Sequence, residues 1–277
     1  MPLDGTMTSG IKLRPLTPFL GVEVEGVDVS GAISDGDAEA LRAAFAQHRV
    51  LLLRNVELDG DAQNRFVGLF GEVIIRDHNV AKQAEDDVQY VSNSRADGIL
   101  GTGDLDFHFD HLFHHVPLAG LALYGIEVGL GAGGDTKFCD TERALEKMPA
   151  PLRARIEKLS CRHDYTFSGK LAQDWQVSDA TTVPLSAIHP IVHADPRTGR
   201  RGVWINKLTT ICVVDLPADE SAALIAEVRG YFADESITYT HEWRPGDLLI
   251  WENRTVQHAR TLFDESKPRT LRRTTFI

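Results

Sequence analysis

The sequence predicts a mainly β fold with peripheral helices (α+β), in which two packed sheets form a jelly-roll-like unit. Three observations support this prediction. Short apolar or alternating runs of strand length recur along the chain, and four of them close it. Helical spacing of apolar residues is limited to a few segments. No internal repeat, low-complexity tract or change in composition divides the chain, so we expect one domain over residues 1–277.

The N-terminal third is expected to contain two strands and two helices. Residues 1–18 are polar and are predicted to form a loosely held arm, whereas residues 22–25 alternate as a strand. Helical patterns cover about 34–48 and 61–71, and a serine N-cap opens the first of them. The apolar run at 50–53 is typical of a buried strand.

The middle of the chain alternates regular and irregular segments. Residues 76–104 are polar and without period, which predicts an irregular segment that serves as an active-site lid. Strands are expected at 119–128 and 135–139, followed by a helical stretch at about 141–160 with a proline-rich break. Residues from about 140 to 190 are predicted to be an excursion from the core.

The C-terminal part is predicted to be strand-rich. A hairpin is expected between 191–193 and 203–205, and a helix from 215 to about 232. The four closing strands are predicted at 237–243, 247–251, 257–262 and 270–276.

Composition limits the class of protein. With 29 basic and 40 acidic residues the net charge is -11, which argues against a nucleic-acid partner and leaves room for a small anionic ligand held by one or two arginines. The three cysteines are far apart and are expected to be reduced. The apolar stretch 118–134 contains Glu127 and six glycines, so no membrane span is expected. Without a signal-peptide pattern, we expect a cytoplasmic protein.

One short stretch indicates a metal site. In Asp106-Phe107-His108-Phe109-Asp110 an extended backbone places His108 and Asp110 on one face, with the two phenylalanines turned into apolar packing. Two histidines and one carboxylate on one side of a metal are the ligands of non-haem Fe(II) oxygenases. Alone the triplet is weak, because a second one, His193-Ala194-Asp195, runs into a turn sequence and is interpreted as a solvated turn.

Five stretches of the sequence match one known family in the same order. They are Phe107-His108-Phe109-Asp110, Gly133-Gly134-Asp135-Thr136, His189-Pro190 through Asp195-Pro196-Arg197-Thr198-Gly199-Arg200, Trp251-Glu252-Asn253-Arg254 to His258, and Arg269-Thr270-Leu271-Arg272-Arg273-Thr274-Thr275. With these stretches the chain resembles, over about residues 20–277, the taurine/2,4-dichlorophenoxyacetate dioxygenase family. Members of that family are Fe(II)- and 2-oxoglutarate-dependent oxygenases on a double-stranded β-helix, a cupin-like jelly roll.

The resemblance implies roles for specific residues. His108, Asp110 and His258 would be the iron ligands, and Thr136 and Arg269 would hold the distal carboxylate of 2-oxoglutarate, with O2 as the other cosubstrate. A guanidinium suits this task because its planar fork donates two parallel hydrogen bonds to a carboxylate. A carboxylate at position 110 favours hydroxylation, since halogenating relatives carry a small residue there. Relatives are often dimers or tetramers, so the resemblance also implies a homo-oligomer.

The substrate is expected to be a small organic anion. Arg273 lies four residues after Arg269, on the same strand face, and in relatives the matching arginine binds the acidic head of the substrate. At places where the taurine enzyme has histidine and aromatic contacts, this chain has Arg76, Asp104 and Leu208, which argues against taurine itself. Phe107 replaces a tryptophan that relatives usually carry.

Two groups of alternatives stay open on the sequence. Within the family, the substrate is either a carboxylate, such as an aryloxyalkanoate or an N-acyl amino acid, or a sulfonate or alkyl sulfate ester that is cleaved. Outside the family, a cupin-like Zn or Mn enzyme that does not use 2-oxoglutarate would need no Arg269. A non-catalytic jelly-roll binding module is the last alternative.

Overall fold

The computed structural model describes residues 10–74, 88–165 and 186–277. Its strands, in chain order, are β1 (Lys12–Pro15), β2 (Val22–Glu25), β3 (Val50–Leu53), β4 (Gln89–Ser92), β5 (Leu105–His108), β6 (Gly120–Val128), β7 (Thr136–Asp140), β8 (Ser160–Asp164), β9 (Ser186–Pro190), β10 (Val192–Ala194), β11 (Arg201–Val203), β12 (Thr210–Val213), β13 (Thr238–His241), β14 (Leu248–Glu252), β15 (Val256–Arg260) and β16 (Arg269–Phe276). The α-helices are α1 (Asp35–His48), α2 (Gly60–Val67), α3 (Thr141–Lys147), α4 (Ala150–Ile156) and α5 (Ala218–Gly230), and 3-10 turns follow at Tyr231–Ala233 and Glu235–Ile237.

Two sheets face each other and enclose the central core. The larger has the order β1-β2-β3-β14-β6-β16-β4, and the smaller has the order β13-β7-β15-β5. Leu121 and Leu249 from the larger sheet and Phe138 and Val256 from the smaller belong to one buried hydrophobic cluster. The predicted jelly-roll double sheet is therefore confirmed.

The apolar run of β3 shows why its sequence lacks alternation. Val50 and Leu52 face the core between the sheets, whereas Leu51 and Leu53 belong to the cluster formed with α1 and α2. Because both faces of the strand pack against apolar side chains, all four of its residues are apolar and the sequence does not alternate. At α1 the Ser34 side chain accepts a hydrogen bond from the Asp37 backbone N–H, as the N-cap pattern predicts.

A third hydrophobic cluster joins α3, α4 and α5 to the back of the smaller sheet. Its members include Leu145, Ile156 and Cys161, so the described part of the predicted excursion packs in a cluster of its own behind the smaller sheet. The excursion itself stays a prediction. Residues 166–185 lie outside the described part. The proline-rich break is confirmed between α3 and α4, and a small sheet of order β12-β8-β9 and the predicted hairpin β10–β11 complete this side.

Two short edge strands correct the sequence analysis. The expected loose arm contains β1, which pairs with β2, and the expected irregular segment contains β4, which pairs with β16. Four-residue edge strands of mixed polarity have no pattern of their own, and their pairing comes from the neighbouring strand. The lid function of 76–104 stays a prediction, since 75–87 are outside the described residues.

Two expectations about composition can be compared with the structure. Cys139, Cys161 and Cys212 are free, as predicted. Among the described residues, no helix combines the length and apolar character that a membrane span requires.

Candidate active site

The structure brings the three predicted ligands together at one end of the smaller sheet. His108 ends β5 and lies directly opposite His258 on β15. Asp110 follows two residues later, and its Oδ1 lies 3.4 Å from Nε2 of His108 and 3.9 Å from Nε2 of His258. One ligand atom from each of the three side chains lies within 4.8 Å of the others. Strand pairing thus joins residues that are far apart in the sequence.

The protonation states suit a metal ligand set. The Nδ1 of His108 donates to the Asp106 carbonyl oxygen at 2.8 Å, so its Nε2 is the nitrogen that faces the shared centre. Burial, followed by the neighbouring His108, holds the pKa of His258 well below its usual range. Burial alone would raise the pKa of Asp110, yet the Arg273 guanidinium and both imidazoles keep it well below its usual value. A neutral imidazole at His258 and an ionised carboxylate at Asp110 are the forms that bind a metal.

Asn253 holds the backbone at Asp110, a role that the sequence analysis did not assign. Its Oδ1 accepts the Asp110 backbone N–H at 3.0 Å, and its Nδ2 donates to the Asp110 carbonyl oxygen at 2.9 Å. The same Nδ2 lies 3.3 Å from the Leu118 carbonyl oxygen. The asparagine lies in the quoted stretch Trp251-Glu252-Asn253-Arg254, but no local pattern connects it with Asp110.

Arg273 has a contact that the sequence did not predict. One terminal nitrogen donates to Asp110 Oδ2 at 2.7 Å, and the other donates to Gln89 Oε1. Arg273 therefore orients a candidate metal ligand, in addition to any contact with substrate. Arg269 and Arg273 line the same cavity, which confirms that they share a strand face, while Leu271 between them joins the core.

The far end of the cavity is formed by Thr136 and Arg269. Thr136 Oγ1 accepts a hydrogen bond from Trp243 Nε1 at 2.9 Å, so its own O–H is available to a ligand. Arg269 Nη2 donates to the Gly134 carbonyl oxygen at 2.8 Å. Gly134 has φ +75°, and a Cβ there would lie 2.7 Å from Arg269 Nε, so glycine is needed for this approach. Burial, then the nearby Arg260, lowers the pKa of Arg269 to about 9, which leaves it charged at neutral pH.

The cavity lies between the two sheets. The described residues that line it are Val91, Leu100, Leu105, His108, Asp110, Leu121, Leu123, Thr136, His258, Ala259, Arg260, Arg269 and Arg273. Asp104 is exposed and Leu208 is half-buried, and neither is among these residues. Arg76 lies outside the described part of the chain. The substrate contacts assigned to Arg76, Asp104 and Leu208 stay predictions.

The carboxylate of the second His-x-Asp triplet is buried, which corrects the interpretation of this triplet as a solvated turn. Asp195 is 2% exposed, and its carboxylate accepts from Arg254 and Thr198. His193 stacks on Trp204 with ring centroids 3.8 Å apart. His193 and Ala194 end strand β10, and the buried Asp195 carboxylate ties the turn that follows to Arg254, so the triplet has a structural role.

The donor set of the first triplet fits a particular metal. Two imidazole nitrogens and one carboxylate oxygen converge, while apolar side chains, three arginines and Thr136 form the rest of the described cavity lining. This is the facial arrangement of non-haem Fe(II) sites, which leaves coordination positions for other ligands.

Comparison with known proteins gives the family. The family model described as "Taurine catabolism dioxygenase TauD, TfdA family" matches residues 12–275. The chain belongs to this family. A pentalenolactone F synthase from Streptomyces arenae is 30% identical over 280 residues, covering 93% of this chain and 92% of the relative. An alpha-ketoglutarate-dependent 2,4-dichlorophenoxyacetate dioxygenase from Cupriavidus pinatubonensis is 28% identical, covering 95% and 96%.

The structural comparison agrees with the family. A taurine dioxygenase from Burkholderia xenovorans superposes with a TM-score of 0.81 at 26% identity, covering 96% of this chain and 89% of that one. Family, fold and ligand cluster together make this chain a 2-oxoglutarate-dependent Fe(II) dioxygenase that uses O2. The cupin-like enzyme that does not use 2-oxoglutarate and the non-catalytic module are thereby disfavoured.

Proposed function

We propose that this dioxygenase hydroxylates a small organic anion, with Fe(II) held by His108, Asp110 and His258. One observation carries the proposal. Three buried guanidinium groups, those of Arg260, Arg269 and Arg273, line the cavity beside the triad, and Asp110 is the one acidic side chain among the described lining residues.

The charge of the cavity favours an anionic substrate. Three arginines against one aspartate give the lining an excess of two positive charges, and a ferrous ion doubles that excess. 2-Oxoglutarate is a dianion and offsets half of the total. Since unpaired charge in a buried site is costly, a substrate with an acidic group adds favourable attraction where a neutral one adds none.

The chain's residues position the reactants. Bound Fe(II) supplies the chemistry, in which O2 oxidises 2-oxoglutarate to succinate and CO2 and one oxygen atom is inserted into a substrate C–H bond. Arg269 and the Thr136 hydroxyl donate to the distal carboxylate of the cosubstrate. The aliphatic side chains around them exclude water from the reacting centre. Arg273 lies beside Asp110 and would attract the acidic group of the substrate toward the metal.

A carboxylate, such as an aryloxyalkanoate or an N-acyl amino acid, is the substrate we propose. The 2,4-dichlorophenoxyacetate relative supports this choice. The alternative is a sulfonate or alkyl sulfate ester that the hydroxylation would cleave, which the family description makes reasonable. Homo-oligomeric assembly, a cytoplasmic location and the absence of a nucleic-acid partner stay predictions.

Succinate release tests the proposal. The purified protein with Fe(II), ascorbate and 2-oxoglutarate should release succinate with at least one member of a panel of aryloxy acids, N-acyl amino acids, sulfonates and sulfate esters. Arg269→Ala should raise the KM for 2-oxoglutarate by about 10- to 100-fold, because hydrogen bonds to charged groups are each worth about 1.5–3 kcal/mol.

Arg272→Ala is the matched control. Arg272 is on the same strand and equally buried, but it faces the opposite side, where it contacts Gln63. Its replacement should leave the KM for 2-oxoglutarate unchanged. Metal-dependent turnover that proceeds without 2-oxoglutarate would contradict the proposed function.

A further inference from the structure

Arg260 is the third arginine of the cavity, and it lies outside the stretches that matched the family. It lies two residues after His258 on β15, so the two side chains share a face. Its strand partner on β7 is Thr136. Arg260 is 6% exposed and lines the cavity together with Thr136 and Arg269. It therefore stands at the end of the cavity where the proposed function seats the distal carboxylate of 2-oxoglutarate.

The hydrogen bonds of Arg260 hold a loop. Residues 98–104, here called the cavity loop, are the second part of the connection from β4 to β5. Arg260 donates from its two terminal nitrogens to the carbonyl oxygens of Leu100 and Thr102. Leu100 itself lines the cavity and has the left-handed φ of +51°, a conformation that needs support from its surroundings. The loop has a second anchor, because the Gly103 backbone N–H donates to Glu265 Oε1 at 2.9 Å.

The guanidinium group of Arg260 contacts no carboxylate among the described residues. Its two terminal nitrogens both donate to neutral carbonyl groups. The guanidinium carbons of Arg260 and Arg269 lie 5.5 Å and 5.7 Å from the ring centroid of Phe263, so two positive charges share one aromatic side chain. Burial, offset in part by Asp104 and Glu265, lowers the pKa of Arg260 to about 10. Two buried guanidinium groups close together favour an anion between or beside them.

We propose that Arg260 is a positioning residue that couples the binding of 2-oxoglutarate to the ordering of the cavity loop. The inference rests on the proposed function, because it needs the distal carboxylate at Arg269 and Thr136. That carboxylate offsets the repulsion between the two guanidinium groups and stabilises Arg260 in the orientation that holds Leu100 and Thr102. By linkage, a loop that is already held by Arg260 raises the affinity for 2-oxoglutarate by the same factor.

Binding and hydrogen exchange test this coupling without turnover. Calorimetric titration of the Mn(II)-loaded protein with 2-oxoglutarate, without O2, should show at least a 10-fold weaker affinity for Arg260→Met than for the unmodified chain. In the unmodified chain, 2-oxoglutarate should slow exchange of the Gly103 amide at least 5-fold, and Arg260→Met should remove this slowing. Arg260→Lys keeps the charge but lacks the fork that reaches two carbonyl groups, so it should lose the Gly103 protection and less of the affinity.

Arg272→Met is the matched control, since Arg272 also donates to a backbone carbonyl, that of Leu58, but on the opposite face of the sheet. It should leave both the affinity for 2-oxoglutarate and the Gly103 exchange unchanged. Unchanged 2-oxoglutarate affinity in Arg260→Met, or a Gly103 amide that does not respond to 2-oxoglutarate in the unmodified chain, would overturn the coupling. If Arg260→Met fails to fold, the affinity of Arg260→Lys for 2-oxoglutarate and the Gly103 exchange of the unmodified chain test the coupling instead. An unmodified chain that binds no 2-oxoglutarate would instead refute the proposed function.

Discussion

Replacing Asn253 with alanine should disturb the candidate metal site without removing a ligand. The Asn253 side chain is fully buried and makes three hydrogen bonds, two with the backbone of Asp110 and one with the Leu118 carbonyl oxygen. In Asn253→Ala the turn that carries Asp110 loses its clamp, while His108, Asp110 and His258 all remain.

The size of the effect follows from these contacts. Each buried hydrogen bond contributes about 1 kcal/mol net, so we expect the free energy of unfolding to fall by about 3 kcal/mol. For a chain of this size that corresponds to a decrease in Tm of about 6 to 12 °C. Groups that orient metal ligands typically change metal affinity by about 10- to 100-fold, and we expect a loss of that size for Mn(II) or Fe(II).

Urea unfolding of the metal-free protein and anaerobic Mn(II) titration measure the two effects separately. Asn64→Ala is the control, because Asn64 accepts one hydrogen bond from Thr274 on the outer side of the sheet. It should lower stability by about 1 kcal/mol and leave Mn(II) affinity unchanged. If Asn253→Ala is destabilised but binds Mn(II) within twofold of the unmodified chain, Asn253 does not position the metal ligand Asp110.

Three further predictions concern the proposed metal ligands, Arg273 and the buried His163. His108→Ala or Asp110→Ala should abolish Fe(II)-dependent succinate release, and retained release would end the ligand assignment. Arg273→Ala should raise the substrate KM at least 10-fold and shift Mn(II) binding to higher pH, because Asp110 loses the cation that lowers its pKa. If the substrate KM is unchanged but Mn(II) binding shifts to higher pH, Arg273 orients Asp110 and does not bind the substrate. Burial, then the nearby His189, lowers the pKa of His163 in the folded protein from 6.5 to about 3. Below pH 6.5 the unfolded chain therefore binds more protons at this residue than the folded chain, so the free energy of unfolding falls as the pH falls. His163→Phe should remove about 2 kcal/mol of the stability lost between pH 7 and pH 5, measured by urea unfolding, and an unchanged pH dependence would refute this role.

The regular elements could be predicted where the pattern is local. Ser34 before α1, the uninterrupted apolar run of β3 and the proline-rich break between α3 and α4 each depend on neighbouring residues, and the structure confirms them. The edge strands β1 and β4 could not be predicted, because their pairing partners and not their own sequences place them in the sheet.

In the candidate site, too, a local pattern predicted some residues and not others. His108 and Asp110 are near neighbours, so an extended backbone was enough to place them on one face. His258, Thr136 and Arg269 came from matched family stretches, and the structure brings all of them to the cavity of the triad.

The sequence by itself thus determined the strand-rich class, the family and the chemical identity of the groups at the site. Only the tertiary structure decided which groups support them: Asn253 clamps a backbone 143 residues away, Arg273 contacts Asp110 at a separation of 163, and Arg260 holds Leu100 at a separation of 160. Periodicity reports what lies a few residues along the chain. Hydrogen-bond partners are chosen by the folding of two sheets onto each other, which no local pattern records.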